Sequence, residues 1–402
     1  MQYDTISNER QLLDLCGRLA GARSIGFDTE FVSEDSYRPE LCLLQVAAGD
    51  VLAVVDTKEV ADLVPFWNLL TEPGRQSVAH AAREEMLFCH RAIGRMPTDL
   101  FDVQLAAGLV GLEYPAAYGT LISRLLGQTL PKGETRTDWR RRPLSERQLK
   151  YALQDVLYLE AIRDKLHKRL EKLGRLDWLT GEMQARQQEL AEAETAERWW
   201  RVSGLAGLPS RGLAIVRELW RWREAEAESR DRPARRVLRD DLIVELARRQ
   251  TADPKRIGAV RGMERRDVRK HLPELQAAVA RALELTDGEL PRPAQRGSNN
   301  QPQLNLLGQF LTAALGGICR EASIASTLVG TVQDVRDYVA WRLELPGAPR
   351  ETPALAIGWR AEIVGSKIDD LLHGRGAVYI DDPLAEQPLG FRAIAEPNAA
   401  SE

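Results

Sequence analysis

The chain has few cysteines, and they are scattered. Its 402 residues contain four, Cys16, Cys42, Cys89 and Cys319, and their spacing argues against a zinc site. The same spacing argues against the disulfide framework on which small secreted domains depend. We therefore expect a reducing compartment, the cytoplasm.

Long apolar runs are also missing. No stretch approaches the length of a membrane span, and the start, Met1-Gln2-Tyr3-Asp4, lacks the basic and apolar regions of a signal peptide. A P-loop of the form G-x-x-x-x-G-K-[ST] is absent too, which argues against ATP-driven unwinding. We expect neither a membrane nor ATP among the partners. We favour a monomer, although the sequence does not decide the oligomeric state.

What is present is the composition of a globular protein. Hydrophobic residues make up 44% and charged residues 28% of the chain, which is enough apolar material for buried cores. The length is too great for one ordinary domain and predicts two to four.

One short apolar run, residues 25–31, is typical of a core strand and yet contains two acids, Asp28 and Glu30. Residues two apart on a strand share a face, so these carboxylates lie side by side. Neighbouring buried anions repel unless something positive compensates, and Mg²⁺ or Mn²⁺ is the simplest compensation. The alternative is a strand that frays here and leaves both acids solvated.

A second pair of polar side chains, Tyr151 and Asp155, lies in a stretch with helical periodicity. Ser145 is in position to cap this helix, with Gln148 completing a capping box. Residues four apart project from the same side of a helix, so Tyr151 and Asp155 point the same way. Such a pair, taken alone, is most often an ordinary helix face.

Strand and helix patterns alternate through the first part of the chain. Strands are predicted at residues 3–6, 41–48, 51–55 and 76–79, and helices at 60–70 and 83–93. The segments 41–48 and 51–55 form a hairpin around Ala48-Gly49-Asp50. The pattern predicts an α/β domain, a mixed sheet flanked by helices on both faces, followed by all-α domains.

Several weak motifs in the right order resemble the tyrosine-type DEDD 3'-5' exonucleases, in particular the bacterial ribonuclease D family. They are Asp28-Thr29-Glu30-Phe31, the run from His80 to Glu85, Phe101 to Ala106, Asp138 to Ser145, and Tyr151 to Asp155. The resemblance implies a ribonuclease H-like catalytic domain. It also implies two divalent metal ions, Mg²⁺ or Mn²⁺, held by Asp28, Glu30, Glu85 and Asp155, with Tyr151 orienting the attacking water.

The resemblance further implies an activity and a substrate. The expected activity is a 3'-to-5' exoribonuclease that releases nucleoside 5'-monophosphates, in 3' processing of tRNA precursors and other small structured RNAs. One position departs from the family, because Glu85 stands where an Asp is usual. A catalytically weakened RNA-binding or adaptor protein on the same fold is therefore an alternative, and a DNA 3'-5' exonuclease is another.

Two basic segments are candidates for contact with RNA phosphates. One precedes the Tyr151 helix and includes Arg136, Arg140 and Arg141; the other, residues 201–271, carries 19 Lys and Arg against 11 Asp and Glu and includes Arg235 and Arg236. The second segment resembles the HRDC module, a helical bundle that helps to bind nucleic acid. In both places the alternative is a solvated charged surface.

The predicted domain organisation has six parts. They are a 3'-5' exonuclease domain (1–175), a helical connector (176–198), an HRDC-like domain (199–287), a linker (288–303), a second small helical domain (304–391), for which an HRDC-like bundle is one alternative, and a disordered tail (392–402). Two further side chains are expected to be structural. His80 is predicted to hold a loop near the site, and Asp102 to cap its own helix.

Overall fold

The computed structural model describes residues 2–130, 137–292 and 302–394. Within these ranges, no helix combines the length and apolarity needed to cross a membrane. The chain is described below as an N-terminal region (2–195), a middle region (199–292) and a C-terminal region (302–394).

The N-terminal region is built on a mixed six-stranded sheet in the order β1-β4-β3-β2-β5-β6. Its strands are β1 Asp4–Ile6, β2 Ser24–Val32, β3 Glu40–Ala48, β4 Val51–Asp56, β5 Gln76–Ala79 and β6 Leu100–Asp102. Central strand β2 pairs antiparallel with β3 and parallel with β5. The acidic run therefore lies in the middle of the sheet, and the predicted hairpin is β3–β4.

Helices flank this sheet, as predicted. They are α1 Glu9–Leu19, α2 Val64–Leu70, α3 Arg83–Ile93, α4 Val103–Leu109, α5 Tyr118–Leu126, α6 Glu146–Leu157, α7 Leu159–Leu173 and α8 Leu176–Thr195. The helix predicted at 60–70 begins only at Val64, because Pro65 has no N–H to donate and suits the first turn of a helix. Periodicity and glycine content predict breaks near Gly174 and Gly181. The first is present, with Gly174 in the left-handed conformation that suits glycine, but α8 continues through Gly181, so the second prediction is wrong.

The middle region is a separate helical bundle. Its helices are α9 Ser210–Ser229, α10 Ala234–Val237, α11 Asp240–Arg249, α12 Pro254–Gly258, α13 Arg266–Arg269 and α14 Leu272–Glu284. Long helix α9 packs against α11 and α14. The buried apolar side chains of this region form a core of their own.

The C-terminal region shares its core with the N-terminal region instead. It contains α15 Pro302–Glu321, α16 Ser326–Val329, α17 Val332–Arg342, α18 Gly358–Arg360 and α19 Ser366–Leu372, with a π-helical turn between the last two. Buried side chains such as Leu311, Ile318 and Val339 belong to the same apolar cluster as Phe27 and Leu105.

The end of the chain differs from its prediction. The apolar run at 377–380 predicts a short strand within this mainly helical region. It is β7 Gly376–Ile380, and it pairs with a second strand, β8 Leu389–Ala393, that was not predicted. Strand β8 extends two residues into the segment predicted as a tail from 392. Residues 395–402, and 293–301 of the predicted linker, lie outside the described residues.

Candidate active site

Strand β2 presents the two acids that the sequence singled out. Asp28 and Glu30 lie on one face of this strand and are both half-buried. The pairing between β2 and β3 shifts register between Glu30 and Phe31. Such bulges bend a strand and re-aim its side chains, and here the bulge directly follows the acidic pair.

Helix α6 supplies the third acid. Ser145 caps this helix and forms the predicted capping box with Gln148, which fixes where the helix begins. The chain then continues into α7, whose first residue, Leu159, packs tightly against Gly26 of β2. A Cβ added at Gly26 would lie 3.3 Å from the Leu159 side chain, so the glycine permits the close approach that brings Asp155 to β2.

The carboxylates of Asp28, Glu30 and Asp155 converge. Each offers one oxygen, and the three oxygens all lie within 4.8 Å of one another. Ligands on opposite sides of an octahedral Mg²⁺ are about 4.2 Å apart, so a small adjustment would accommodate the ion. The donor set is all oxygen, which is the set preferred by Mg²⁺ and Mn²⁺. The residues therefore fit a hard divalent cation.

The pKa values of the three acids in this cluster are all raised, as expected for close carboxylates with no positive charge to compensate them. Burial, followed by the charges of Glu85, Asp155 and Glu30, holds the pKa of Asp28 well above its ordinary value. Burial and the charges of Asp155 and Glu85 raise the pKa of Glu30 to about 8. Burial raises the pKa of Asp155 to about 7. A bound cation would relieve this repulsion between carboxylates.

Glu85, the fourth predicted ligand, lies beside this cluster. It is buried in the first turn of α3, where its Oε1 accepts a 2.6 Å hydrogen bond from the Thr29 hydroxyl. Burial raises the pKa of Glu85 to about 7 against the effect of that hydrogen bond. Among the described residues, the set of mutually close carboxylates consists of the other three acids and does not include Glu85.

Tyr151 borders the cluster from the same helix as Asp155. Burial, followed by the charges of Asp155, Glu30 and Asp28, raises the pKa of Tyr151 to about 12, so its hydroxyl keeps its proton at neutral pH. The ring stacks on Trp139, with ring centroids 6.2 Å apart and planes inclined by 25°. This stacking fixes the direction of the hydroxyl.

The two expected structural residues behave as predicted. The His80 Nε2 lies 2.9 Å from the Ala116 carbonyl oxygen and so ties together the loops that follow β5 and α4. Asp102 caps α4 by accepting hydrogen bonds from the backbone of Gln104 and Leu105. It also accepts from Ala81 and Ala82 N–H, which holds the start of α3 and therefore Glu85.

Two residues near the site were not found from the sequence. Thr29 points away from its acidic neighbours, and only the fold shows that it meets Glu85. Tyr118 at the start of α5 has a pKa raised by burial, with the charges of Asp155 and Asp28 adding to the effect, and its ring packs against His80. Nothing in the pattern around Tyr118 distinguishes it from an ordinary core aromatic residue.

The predicted basic residues are arranged less simply. Arg136 lies outside the described residues, and Arg141 is 84% exposed. The side chain of Arg140 bonds to Asp138 and also to Asp35, in the loop that follows β2. In the middle region, Arg236 reaches the same Asp35, and Arg235 pairs with Asp240. The two basic segments therefore meet at one place, beside the end of β2.

Comparison with known proteins identifies the family to which the chain belongs. A model for a 3'-5' exonuclease matches residues 3–171, and a model for the HRDC domain matches residues 212–279. Ribonuclease D of Nitrobacter hamburgensis is 33% identical over 380 residues, covering 94% of this chain and 97% of the relative. That of Gluconacetobacter diazotrophicus is 34% identical over 378 residues, 94% of each chain. The chain belongs to the ribonuclease D family.

Membership in the ribonuclease D family makes this protein a hydrolytic nuclease with a 3'-5' exonuclease domain. The structures agree. RNase D of Escherichia coli, an exoribonuclease involved in structured RNA processing, superposes with a TM-score of 0.81 at 28% identity, covering 93% of this chain and 99% of the other. The catalytic core of RRP6 from Trypanosoma brucei, at 22% identity and a TM-score of 0.54, shares the fold.

Proposed function

We propose that this chain removes nucleotides one at a time from the 3' ends of RNA, in the maturation of tRNA precursors and other small structured RNAs. The observation that carries the proposal is the convergence of the Asp28, Glu30 and Asp155 carboxylates to within 4.8 Å in the centre of the exonuclease domain. The ribonuclease D relatives, alike over nearly their whole length, support RNA as the substrate.

The catalytic set in this proposal is Asp28, Glu30, Glu85, Tyr151 and Asp155. Asp28, Glu30 and Asp155 would hold two divalent ions, Mg²⁺ or Mn²⁺, with Glu85 contributing directly or through water. Divalent cations bound there would lower the pKa of an attacking water and stabilise the leaving oxygen of an in-line displacement.

The other steps belong to the side chains of this chain. The hydroxyl of Tyr151 stays protonated near neutral pH and can donate a hydrogen bond that orients the attacking water. Trp139 keeps that hydroxyl in place through ring stacking. The Thr29 hydroxyl holds the Glu85 carboxylate in one orientation, so that the longer side chain does not swing freely.

The test is hydrolysis of a 3'-extended tRNA that carries a label at its 5' end. With Mg²⁺ or Mn²⁺ we expect shortening in single-nucleotide steps, and with a chelator none. Asp28→Ala removes a central carboxylate and should reduce the rate by at least about 10³-fold. Asp50→Asn, in the β3–β4 turn, is the control for loss of one negative charge. Binding without shortening under either metal would refute the enzyme proposal and support the adaptor alternative.

Glu85 decides between a working site and a weakened one. If the natural Glu is a handicap, Glu85→Asp should raise the rate strongly. We expect no gain, because the Thr29 hydrogen bond is made to a carboxylate at the reach of Glu, and a shorter side chain would leave that hydroxyl unpaired. The same assay with a single-stranded DNA substrate tests the DNA exonuclease alternative. The cytoplasm and a monomeric state remain predictions.

A further inference from the structure

The loop that joins β2 to β3 connects the active-site strand to the middle region. Asp35 lies five residues beyond Glu30, so their Cα atoms are at most about 17 Å apart. The backbone N–H of Tyr37 donates to Asp231 at 3.0 Å, and Arg38 pairs with Glu228 at 2.9 Å. These contacts hold the HRDC domain next to the end of the acidic strand.

Asp35 has a distinctive position in this contact. One carboxylate oxygen accepts from Arg236 of α10 at 2.8 Å, and the other accepts from Arg140 of the N-terminal region at 3.2 Å. A single exposed carboxylate thus bridges two arginines that belong to different domains. Guanidinium groups bind carboxylates and phosphates with the same geometry, so Asp35 occupies a place that suits a phosphodiester.

Asp35 also forms one wall of a cleft. The cleft has a volume of about 510 Å³ and is lined mainly by α10 and the segments around it. Five of its lining side chains are arginines, against two aspartates, Asp35 and Asp267. The arginines are Arg232, Arg235, Arg236, Arg239 and Arg265.

The arginines of this cleft are accessible. The side chains of Arg235, Arg236, Arg239 and Arg265 are all more than half exposed, although each touches a neighbouring acid. Exposed ion pairs contribute little stability, so arginines such as Arg236 and Arg239 can exchange partners readily. A concave surface with this excess of guanidinium groups, close to the acidic cluster, matches a single-stranded polyphosphate whose 3' end has entered the site.

We infer that this cleft binds the phosphate backbone of the RNA upstream of its 3' end, and that Asp35 competes with the RNA phosphates for Arg140 and Arg236. The inference rests on the proposed function, because it assumes that the substrate is RNA. In the RNA-free chain the Asp35 carboxylate pairs with both arginines and closes one end of the cleft. An incoming phosphate displaces it, and its return after each cycle favours release of the shortened strand.

The experiment measures equilibrium binding of a 5'-labelled single-stranded RNA to the full chain, by fluorescence anisotropy in chelator, so that no hydrolysis occurs. Asp35→Asn removes the competing carboxylate and should tighten binding by about threefold to tenfold. Asp50→Asn is the matched control. It removes one exposed acid at the far end of β3, about 30 Å away, and should leave Kd unchanged.

A second pair of variants tests the arginines. The double variant Arg232→Gln/Arg236→Gln removes two phosphate contacts, so the slope of log Kd against log salt should become smaller by about 1.4. Arg10→Gln, on the exposed side of α1, should leave that slope unchanged. Either of two results would overturn the inference: Asp35→Asn that binds no tighter than Asp50→Asn, or a double variant with the wild-type salt slope.

Hydrolysis with Mg²⁺, measured in parallel, separates this inference from the proposed function. If the wild type shortens RNA while the cleft variants bind as it does, the cleft inference fails and the proposed function stands. If the cleft variants change RNA binding as expected but neither the wild type nor any cleft variant shortens RNA, the proposed activity fails and the phosphate site remains.

Discussion

The two helical regions that follow the exonuclease domain are attached to it in opposite ways. The HRDC domain keeps a separate apolar core and contacts the exonuclease domain through polar groups of residues 33–38, most of them exposed. The C-terminal region continues the exonuclease core itself. The backbone N–H of Ala325 donates to the Gly108 carbonyl at 2.9 Å, so a main-chain hydrogen bond also links the two regions.

Buried polar contacts reinforce the second attachment. Arg175 is buried and donates to the carbonyl oxygens of Leu109 and Ser323, which lie in different regions. Breaking a buried hydrogen bond costs considerable free energy, because a polar group is left unpaired away from water. Breaking an exposed ion pair costs little. The comparison indicates that the C-terminal region shares the core of the exonuclease domain, whereas the HRDC domain packs beside it with a core of its own.

The largest expected effect is at the aromatic contact between these regions. Trp359 is 8% exposed, stacks on Trp178 with centroids 5.1 Å apart, and donates from its Nε1 to Glu182. Trp359→Ala should lower the free energy of unfolding by about 3–5 kcal/mol, because it leaves a cavity and removes one hydrogen bond to the Glu182 carboxylate. The measurement is urea unfolding followed by far-UV circular dichroism.

Trp200 provides the matched control for that substitution. It lies at the entry to the HRDC domain and is 55% exposed, so Trp200→Ala should cost less than about 1 kcal/mol. Equal losses of unfolding free energy for the two variants would contradict the comparison, since they would mean that the two positions are equally important for stability.

A smaller effect is expected at the ion pair beside that stack. Burial alone would raise the pKa of Glu182, but the hydrogen bonds and charge of Arg360 outweigh it and hold this pKa below the ordinary value of 4.5. Glu182→Gln should cost about 1–3 kcal/mol at neutral pH. A lowered pKa stabilises the folded state above pH 4.5, and the stabilisation disappears as the pH falls through the folded value.

The pH profile therefore tests this assignment. The difference in unfolding free energy between the wild type and Glu182→Gln should be constant near neutral pH and should shrink below about pH 4.5. Glu228→Gln removes the corresponding acid from the HRDC contact. Since the Glu228 side chain is 58% exposed, its loss should cost less than about 1 kcal/mol at any pH. A larger cost for Glu228→Gln than for Glu182→Gln would reverse the comparison.

The sequence predicts local structure and same-face relations well, because both depend on short spacings. The strand with Asp28 and Glu30, the capped helix with Tyr151 and Asp155, and the α/β arrangement all follow from period and capping. The contact between Gly26 and Leu159, which brings these two elements together, joins residues far apart in the chain. Only the family resemblance placed the acids in one site.

What the sequence could not predict are the contacts between regions. Residues 304–391 have helical periodicity and therefore appeared to be an independent domain, but periodicity does not say which core a helix face joins. The ion pairs of Asp35 with Arg140 and Arg236 could not be predicted either, because they join residues far apart in the sequence. The side chain of Arg142, within the basic run, proves structural because it bonds to Asp56 and the Cys42 carbonyl.

The smallest effect concerns the ion pairs that attach the HRDC domain to the exonuclease domain. Raising the salt from physiological strength to 1 M shortens the Debye length from about 8 Å to about 3 Å and weakens exposed ion pairs such as Arg38–Glu228 far more than buried apolar contacts. Amide hydrogen exchange in residues 33–38 and at the end of α9 should therefore quicken with salt, while exchange in α15 and α17 stays the same. Faster exchange in α15 at high salt would mean that ion pairs also hold the C-terminal region. Unchanged exchange at 33–38 would mean that contacts other than exposed ion pairs hold the HRDC domain in place.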